Sequence, residues 1–202
     1  VVVGPPPGRY AFRSVPLVLE EGKPSLPEHL LGTVVSAGPP GDADAVARRI
    51  EAARAPPSPA LVALRDAPVT ARRAFVFTRS MDRMRFYING KLFGEAGTTV
   101  TVPLGSVEEW TIRNEDNQLH NFHVHQTAFL VTESGGLPQP PDRLLDTITV
   151  PSQVRGVPGS IRLKVAFTDP LIVGRFVFHC HVAKHEDKGM MQTIEVEPAR
   201  RP

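Results

Sequence analysis

The sequence predicts an all-β fold, a Greek-key β-sandwich accompanied by one short helix. Two observations predict it. About ten short runs rich in Val, Ile, Thr and Phe recur between turn signals after residue 70, and 21 prolines and 16 glycines punctuate a chain of 202 residues. A sandwich of two sheets buries alternate side chains of such runs.

Residues 1–38 offer about three strands, among them Arg9 to Phe12 and Thr33 to Ser36, with too little apolar material for a domain of their own. They are expected to pack on something outside this sequence, and the opening Val1-Val2-Val3-Gly4-Pro5-Pro6-Pro7 reads as a cut end. Residues 39–69 read as a linker containing a short helix. Its alanine-rich stretch begins at Asp42, whose carboxylate suits an N-cap, and runs to Arg54; the stiff segment Ala55-Pro56-Pro57-Ser58-Pro59 ends it.

Residues 70–202 form the main domain. Its strands are expected at Ala74 to Thr78, Arg85 to Ile88, Thr98 to Val102, Val107 to Arg113, Asn121 to His125 and Phe129 to Thr132. They continue at Asp146 to Val150, Ile161 to Phe167, Arg175 to His179 and Gln192 to Glu197, with Trp110 in the core.

Composition removes several function classes. A net charge of +2 supplies no single-sign field for nucleic acid or an anionic membrane surface. The pairs Arg48-Arg49, Arg72-Arg73 and Arg200-Arg201 read as solvated charge. No apolar run is long enough to span a bilayer. The lone cysteine, Cys180, excludes an internal disulfide, so its neighbours must explain it.

Those neighbours are histidines. Six of the seven histidines lie in two clusters, His120-Asn121-Phe122-His123-Val124-His125 and His179-Cys180-His181 followed by His185. Successive side chains of a strand point to opposite faces. His179 and His181 then look one way and Cys180 the other, while His123 and His125 share a face. Cys180, His120, His185 and the thioether of Met190 supply the donors of a blue-copper electron-transfer site, two imidazoles and a thiolate with a weak axial methionine. The opposite face offers imidazoles alone, His123, His125, His179 and His181, which suits copper that meets oxygen. Zinc, which also accepts His and Cys, and satisfied buried imidazoles are the competing explanations. Solitary His29 reads as exposed, and Met81 and Met84, beside Phe86 and Tyr87, read as packing or loop residues rather than a cuprous-ion platform.

The segments His120-x-x-His123-x-His125 and His179-Cys180-His181-x-x-x-His185-x-x-x-Gly189-Met190 closely resemble the two C-terminal copper motifs of multicopper oxidases, a family that includes laccases. The resemblance runs from about Arg83 to Glu197 and takes in Asp146-Thr147-Ile148-Thr149-Val150-Pro151 and Phe176-Val177-Phe178. More loosely, Gly8 to Phe12 and Leu31 to Val35 resemble the last strands of the second cupredoxin domain of three-domain members.

The resemblance implies a cupredoxin-like C-terminal domain preceded by part of another. It implies type 1 copper ligands His120, Cys180 and His185 with Met190 axial, His123 for a type 2 copper, and His125, His179 and His181 for a binuclear type 3 pair. Met190 stands five residues after His185, as in bacterial members. A methionine there implies a moderate reduction potential. Glu186 would deliver protons for oxygen reduction, with a solvated surface carboxylate as the alternative; Asp146 and Asp187 read as structural, with the orienting of a histidine ring as their other role. The implied activity takes single electrons from a small-molecule or metal-ion substrate (phenols, aromatic amines or low-valent metal ions) and passes them through Cys180 to dioxygen. The implied compartment is periplasmic or extracellular.

A complete trinuclear cluster in the family takes twice as many histidines, the other half coming from two His-x-His pairs. This sequence has no second source, so they are expected from a missing N-terminal portion or from another chain. A blue-copper electron carrier without oxidase activity is the alternative reading, and it leaves His123, His125, His179 and His181 without a use.

Overall fold

The computed structural model describes residues 5–16, 26–38, 41–53, 56–82 and 84–198. It divides into two compact units, Val1–Pro56 and Pro57–Pro202. In the first, β1 (Gly8–Arg13) and β2 (Leu30–Ser36) form an antiparallel ribbon with Gly8 opposite Ser36. The opening Val1 to Gly4, part of any third strand within 17–25, and the Arg200-Arg201 pair lie outside the described residues. Helix α1 (Ala43–Ala52) starts where its N-cap was expected, because the Asp42 carboxylate accepts the Ala45 N–H at 2.9 Å.

The second unit opens with a helix absent from the sequence reading, α2 (Pro59–Asp66). Ser58 caps it by accepting the Leu61 N–H at 3.2 Å, and Pro59 occupies its first turn, where a missing N–H leaves no bond unmade. A proline cluster thus serves as a helix start. Leu61 and Leu64 are buried in a small apolar cluster with Val107 and Leu130. At its far end the Lys164 ammonium donates to the carbonyls of Arg65 and Ala67, occupying acceptors that the helix leaves open.

The strands that follow are β3 (Ala71–Arg79), β4 (Phe86–Ile88), β5 (Thr99–Pro103), β6 (Ser106–Asn114), β7 (His120–Val124), β8 (Phe129–Ser134) and β9 (Leu137–Pro138). After them come β10 (Thr147–Val150), β11 (Gly159–Phe167), β12 (Gly174–Cys180), the short helix α3 (Ala183–Glu186) and β13 (Met191–Glu197). Every expected run after residue 70 is a strand, and the two-residue β9 is the addition. One sheet has the order β10-β7-β12-β13-β5 and the other β4-β3-β6-β11-β8-β9. Pairing is antiparallel except for β13 with β5 and β3 with β6.

Both sheets contribute to one core. Trp110 is 1% exposed, and its ring lies 4.9 Å from Phe75 and 5.5 Å from Phe178, centroid to centroid. Its indole N–H donates at 2.7 Å to the wholly buried Glu108 carboxylate, which also accepts both arms of Arg73, at 2.6 and 2.9 Å. A buried carboxylate is tolerated only when so paired.

Gly159, at the start of β11, lets two segments of the sandwich approach closely. A Cβ there would stand 2.0 Å from the Pro151 carbonyl oxygen, just past the end of β10. Since β10 pairs with β7, placing Thr147 opposite His123 and Val150 opposite His120, this close approach also positions a histidine-bearing strand. Gly159→Ala is expected to lower unfolding stability by about 1–3 kcal/mol through overpacking, read as a lower urea midpoint at unchanged slope. An unshifted midpoint would show that the two segments are not in contact.

Candidate metal centre

Strands β7 and β12 lie side by side, with His123 opposite His179 and Phe122 opposite Cys180. Alternation along each strand sends His120, Phe122 and Cys180 into the core and His123 and His179 to the other face. The chain then leaves β12, and α3 brings His185 back over Cys180. The His185 N–H donates to the Val182 carbonyl at 2.7 Å, and the Met190 N–H to the His185 carbonyl at 3.1 Å. The Cys180 N–H closes this loop by donating to the Met190 carbonyl at 3.0 Å. Gly189, at φ +107° with Leu92 pressed against it, turns the chain between His185 and Met190.

Three donor atoms converge in the core. His120 Nδ1 and His185 Nδ1 are 3.0 Å apart, and each lies 3.5 Å from Cys180 Sγ. Ligand bonds of about 2.0–2.1 Å to nitrogen and about 2.3 Å to sulfur need donors at close to this spacing, so the set fits one metal ion. His120, Cys180 and Met190 are 0% exposed and His185 is 6% exposed. Phe86 stacks on His185 at 4.0 Å and, with Phe77, presents an edge to His120.

Burial sets the protonation of His185 and Cys180. It pushes the His185 imidazolium down to about 4, assisted by neighbouring His120, so the ring is neutral near pH 7 and offers a lone pair. It pushes the Cys180 thiol up to about 11, against the pull of the Asn121 and Val182 backbone. Sulfur therefore keeps its proton until a cation replaces it.

On the other face four imidazoles gather. His125 Nε2 and His179 Nε2 are 3.1 Å apart, and the ligating atoms of His123, His125 and His179 all lie within 4.8 Å of one another. The His181 ring is 5.0 Å from that of His123 and 5.5 Å from that of His179. Burial is the main reason that the pKa values of His125 and His179 are lowered, which leaves both as neutral donors.

Partners of the remaining ring nitrogens choose the tautomers. His123 Nδ1 bonds the Asp146 carbonyl at 2.9 Å and Thr147 Oγ1 at 2.8 Å, which frees Nε2. His179 Nδ1 lies 3.2 Å from Glu186 Oε2, which likewise frees Nε2. His120 Nε2 lies 3.3 Å from Asp116 Oδ2, which frees Nδ1 for the core set. Sequence reasoning offered the Asp146 carboxylate as an orienting group; the main-chain oxygen does this instead, because β10 runs alongside β7. Asp116 and Thr147 were missed. The one sequence signal for Asp116 is its position four residues before His120, and that spacing has meaning only once the turn between β6 and β7 is formed. Met81 is fully exposed and Met84 is 55% exposed, in the loop between β3 and β4.

Comparisons with known proteins identify the family. A family model described as "Multicopper oxidase" matches residues 66–200. A laccase of Haloferax volcanii is 32% identical over 142 residues, 70% of this chain and 24% of that protein. A multicopper oxidase of Staphylococcus aureus is 34% identical over 113 residues, 54% of this chain and 24% of that protein. The chain thus spans about a quarter of the length of these curated relatives. Among solved structures, a multi-copper oxidase from Pediococcus acidilactici aligns with TM-score 0.54 and 27% identity over 68% of this chain and 28% of its own. A multicopper oxidase from Campylobacter jejuni, described as a metallo-oxidase, shares the fold at TM-score 0.67 and 21% identity, over 96% of this chain and 41% of its own.

The raised thiol pKa has a calorimetric consequence. Binding of Co(II), a probe that does not oxidise thiols, should release about one more proton at pH 7.5 from the native chain than from Cys180→Ala. Titrations in buffers of different ionisation enthalpy measure that difference. Equal release from the two proteins would remove Cys180 from the metal set.

Proposed function

From the premise that this chain belongs to the multicopper oxidase family, we propose that it supplies the electron-accepting copper site and part of the oxygen-reducing site of a laccase-like oxidase. The observation that carries the reading is the pair of donor sets on opposite faces of one tripeptide, with Cys180 directed to one and His179 and His181 to the other. Copper bound there supplies one-electron chemistry at the first set and reduction of dioxygen to water at the second. His120, Cys180, His185 and Met190 are the residues that would hold type 1 copper. His123 is assigned to type 2 copper, and His125, His179 and His181 to the binuclear type 3 pair.

The protein's own groups account for the rest. His185 has the more exposed of the two core imidazoles, 6% against 0% for His120, so its outer edge is the place where a substrate delivers electrons. Cys180 is bonded through the backbone to both flanking histidines, which makes the route between the sets short and covalent. Glu186 holds His179 through Nδ1 and, with its carboxylate partly in solvent, is the group assigned to bringing protons inward. Substrates of this reading are phenols, aromatic amines or low-valent metal ions, and the histidines completing the oxygen site come from two His-x-His pairs elsewhere in the polypeptide or in another chain. A periplasmic or extracellular location goes with the family. No helix among the described residues is long and apolar enough to cross a membrane.

The four-imidazole face separates this reading from a simple electron carrier, which needs one copper. Copper-loaded native chain should show an intense visible thiolate-to-copper absorption, and Cys180→Ser should abolish it. Colour retained by the serine variant would refute the assignment. Oxygen consumption should appear when a polypeptide bearing the two His-x-His pairs is combined with the chain, and should be lost from the combination when His179 and His181 are replaced by alanine.

A further inference from the structure

We infer that Arg79 and Asp116 form a fixed ion pair behind His120 whose charge balance sets the reduction potential of copper held by His120, Cys180 and His185. The inference rests on the metal assignment above and adds two positioning residues to it.

The geometry is a short relay. Asp116 Oδ1 accepts from Arg79 Nε at 2.7 Å, and its other oxygen lies 3.3 Å from His120 Nε2. The side chains of Asp116 and Arg79 are 2% and 11% exposed. Charge at such depth is weakly screened. The turn is held from several sides. The Asp116 N–H donates to Asn114 Oδ1 at 2.9 Å, and its carbonyl accepts the Gln153 N–H at 2.7 Å. Arg79 also donates to Asn117 Oδ1. The carboxylate itself is held by Arg79 Nε and by the Gln118 N–H, which donates to Oδ1 at 3.3 Å, so it cannot swing away from the ring without breaking these bonds.

The direction of the effect follows from charge. Asp116, accepting the Nε2–H, makes the imidazole more electron-rich and favours the more positive, oxidised metal. The Arg79 guanidinium opposes it from the far side of the carboxylate. The native potential is the balance of the two, so the charges should be separable by substitution. A purely structural pair would instead answer to the loss of packing, whichever charge was removed.

Spectroelectrochemical titration of the copper-loaded protein tests this. Asp116→Asn removes the anion nearest the ring and should favour reduction by about tenfold in the equilibrium constant against a fixed redox couple, about 59 mV for one electron. The double variant Arg79→Gln with Asp116→Asn removes both charges and should return most of the way to the native potential. Equal potentials for the single and double variants, or no shift in either, would overturn the inference. If Asp116→Asn fails to hold copper, Arg79→Gln and Arg79→Lys serve in its place. The glutamine variant should shift toward the oxidised metal and the lysine variant should stay near native, whereas identical potentials would again overturn it. Absence of thiolate-to-copper absorption in the native protein is a different failure, that of the metal assignment itself.

Discussion

The alternation of side chains along β12, held in register by its neighbour β7, is the constraint on which the site depends. Because consecutive residues of a strand point oppositely, the thiol of Cys180 must enter the core when the imidazole of His179 leaves it. Pairing of His179 with His123 then brings a second histidine to the outer face, and pairing of Cys180 with Phe122 closes the inner one. A one-residue slip between these strands would send the sulfur outward and leave a histidine among phenylalanines. The aromatic core around Trp110, Phe122 and Phe178 resists that slip, since these side chains fill space that no imidazole could fill equally well.

Burial gives the inner set its chemical character. Inside the sandwich burial keeps the imidazole of His185 neutral and makes the sulfur of Cys180 hold its proton more tightly. An arriving cation meets lone pairs already aimed at one point and has a single proton to displace. The outer set is wetter, and orientation there depends on hydrogen bonds. The Asp146 carbonyl, Thr147 and Glu186 each occupy an Nδ1 so that Nε2 faces inward. On both faces a hydrogen bond ties one ring nitrogen and leaves the other open, at His120 on the inner face and at His123 and His179 on the outer.

Secondary structure was legible where periodicity was strong. The run Ile161 to Phe167 alternates cleanly, and the strand found there, β11, extends two residues further. Helix α2 was not legible, because Pro56, Pro57 and Pro59 signal a linker as readily as a helix start; only burial of Leu61 and Leu64 decides between them. The buried pairing of Glu108 with Arg73 was equally silent, since both residues look like ordinary strand-surface charge until β3 and β6 are laid side by side.

By itself the sequence determined which donors exist and which could share a face, because that follows from residue type and from a period of two. It also determined the family, through spacings that only a narrow group of sites requires. The tertiary structure decided which nitrogen of His120, His123 and His179 is free, which of His120 and His185 is the less buried, and that Asp116 and Arg79 stand behind His120. Those facts depend on distances between residues far apart in the chain, and no local pattern encodes a distance across two sheets.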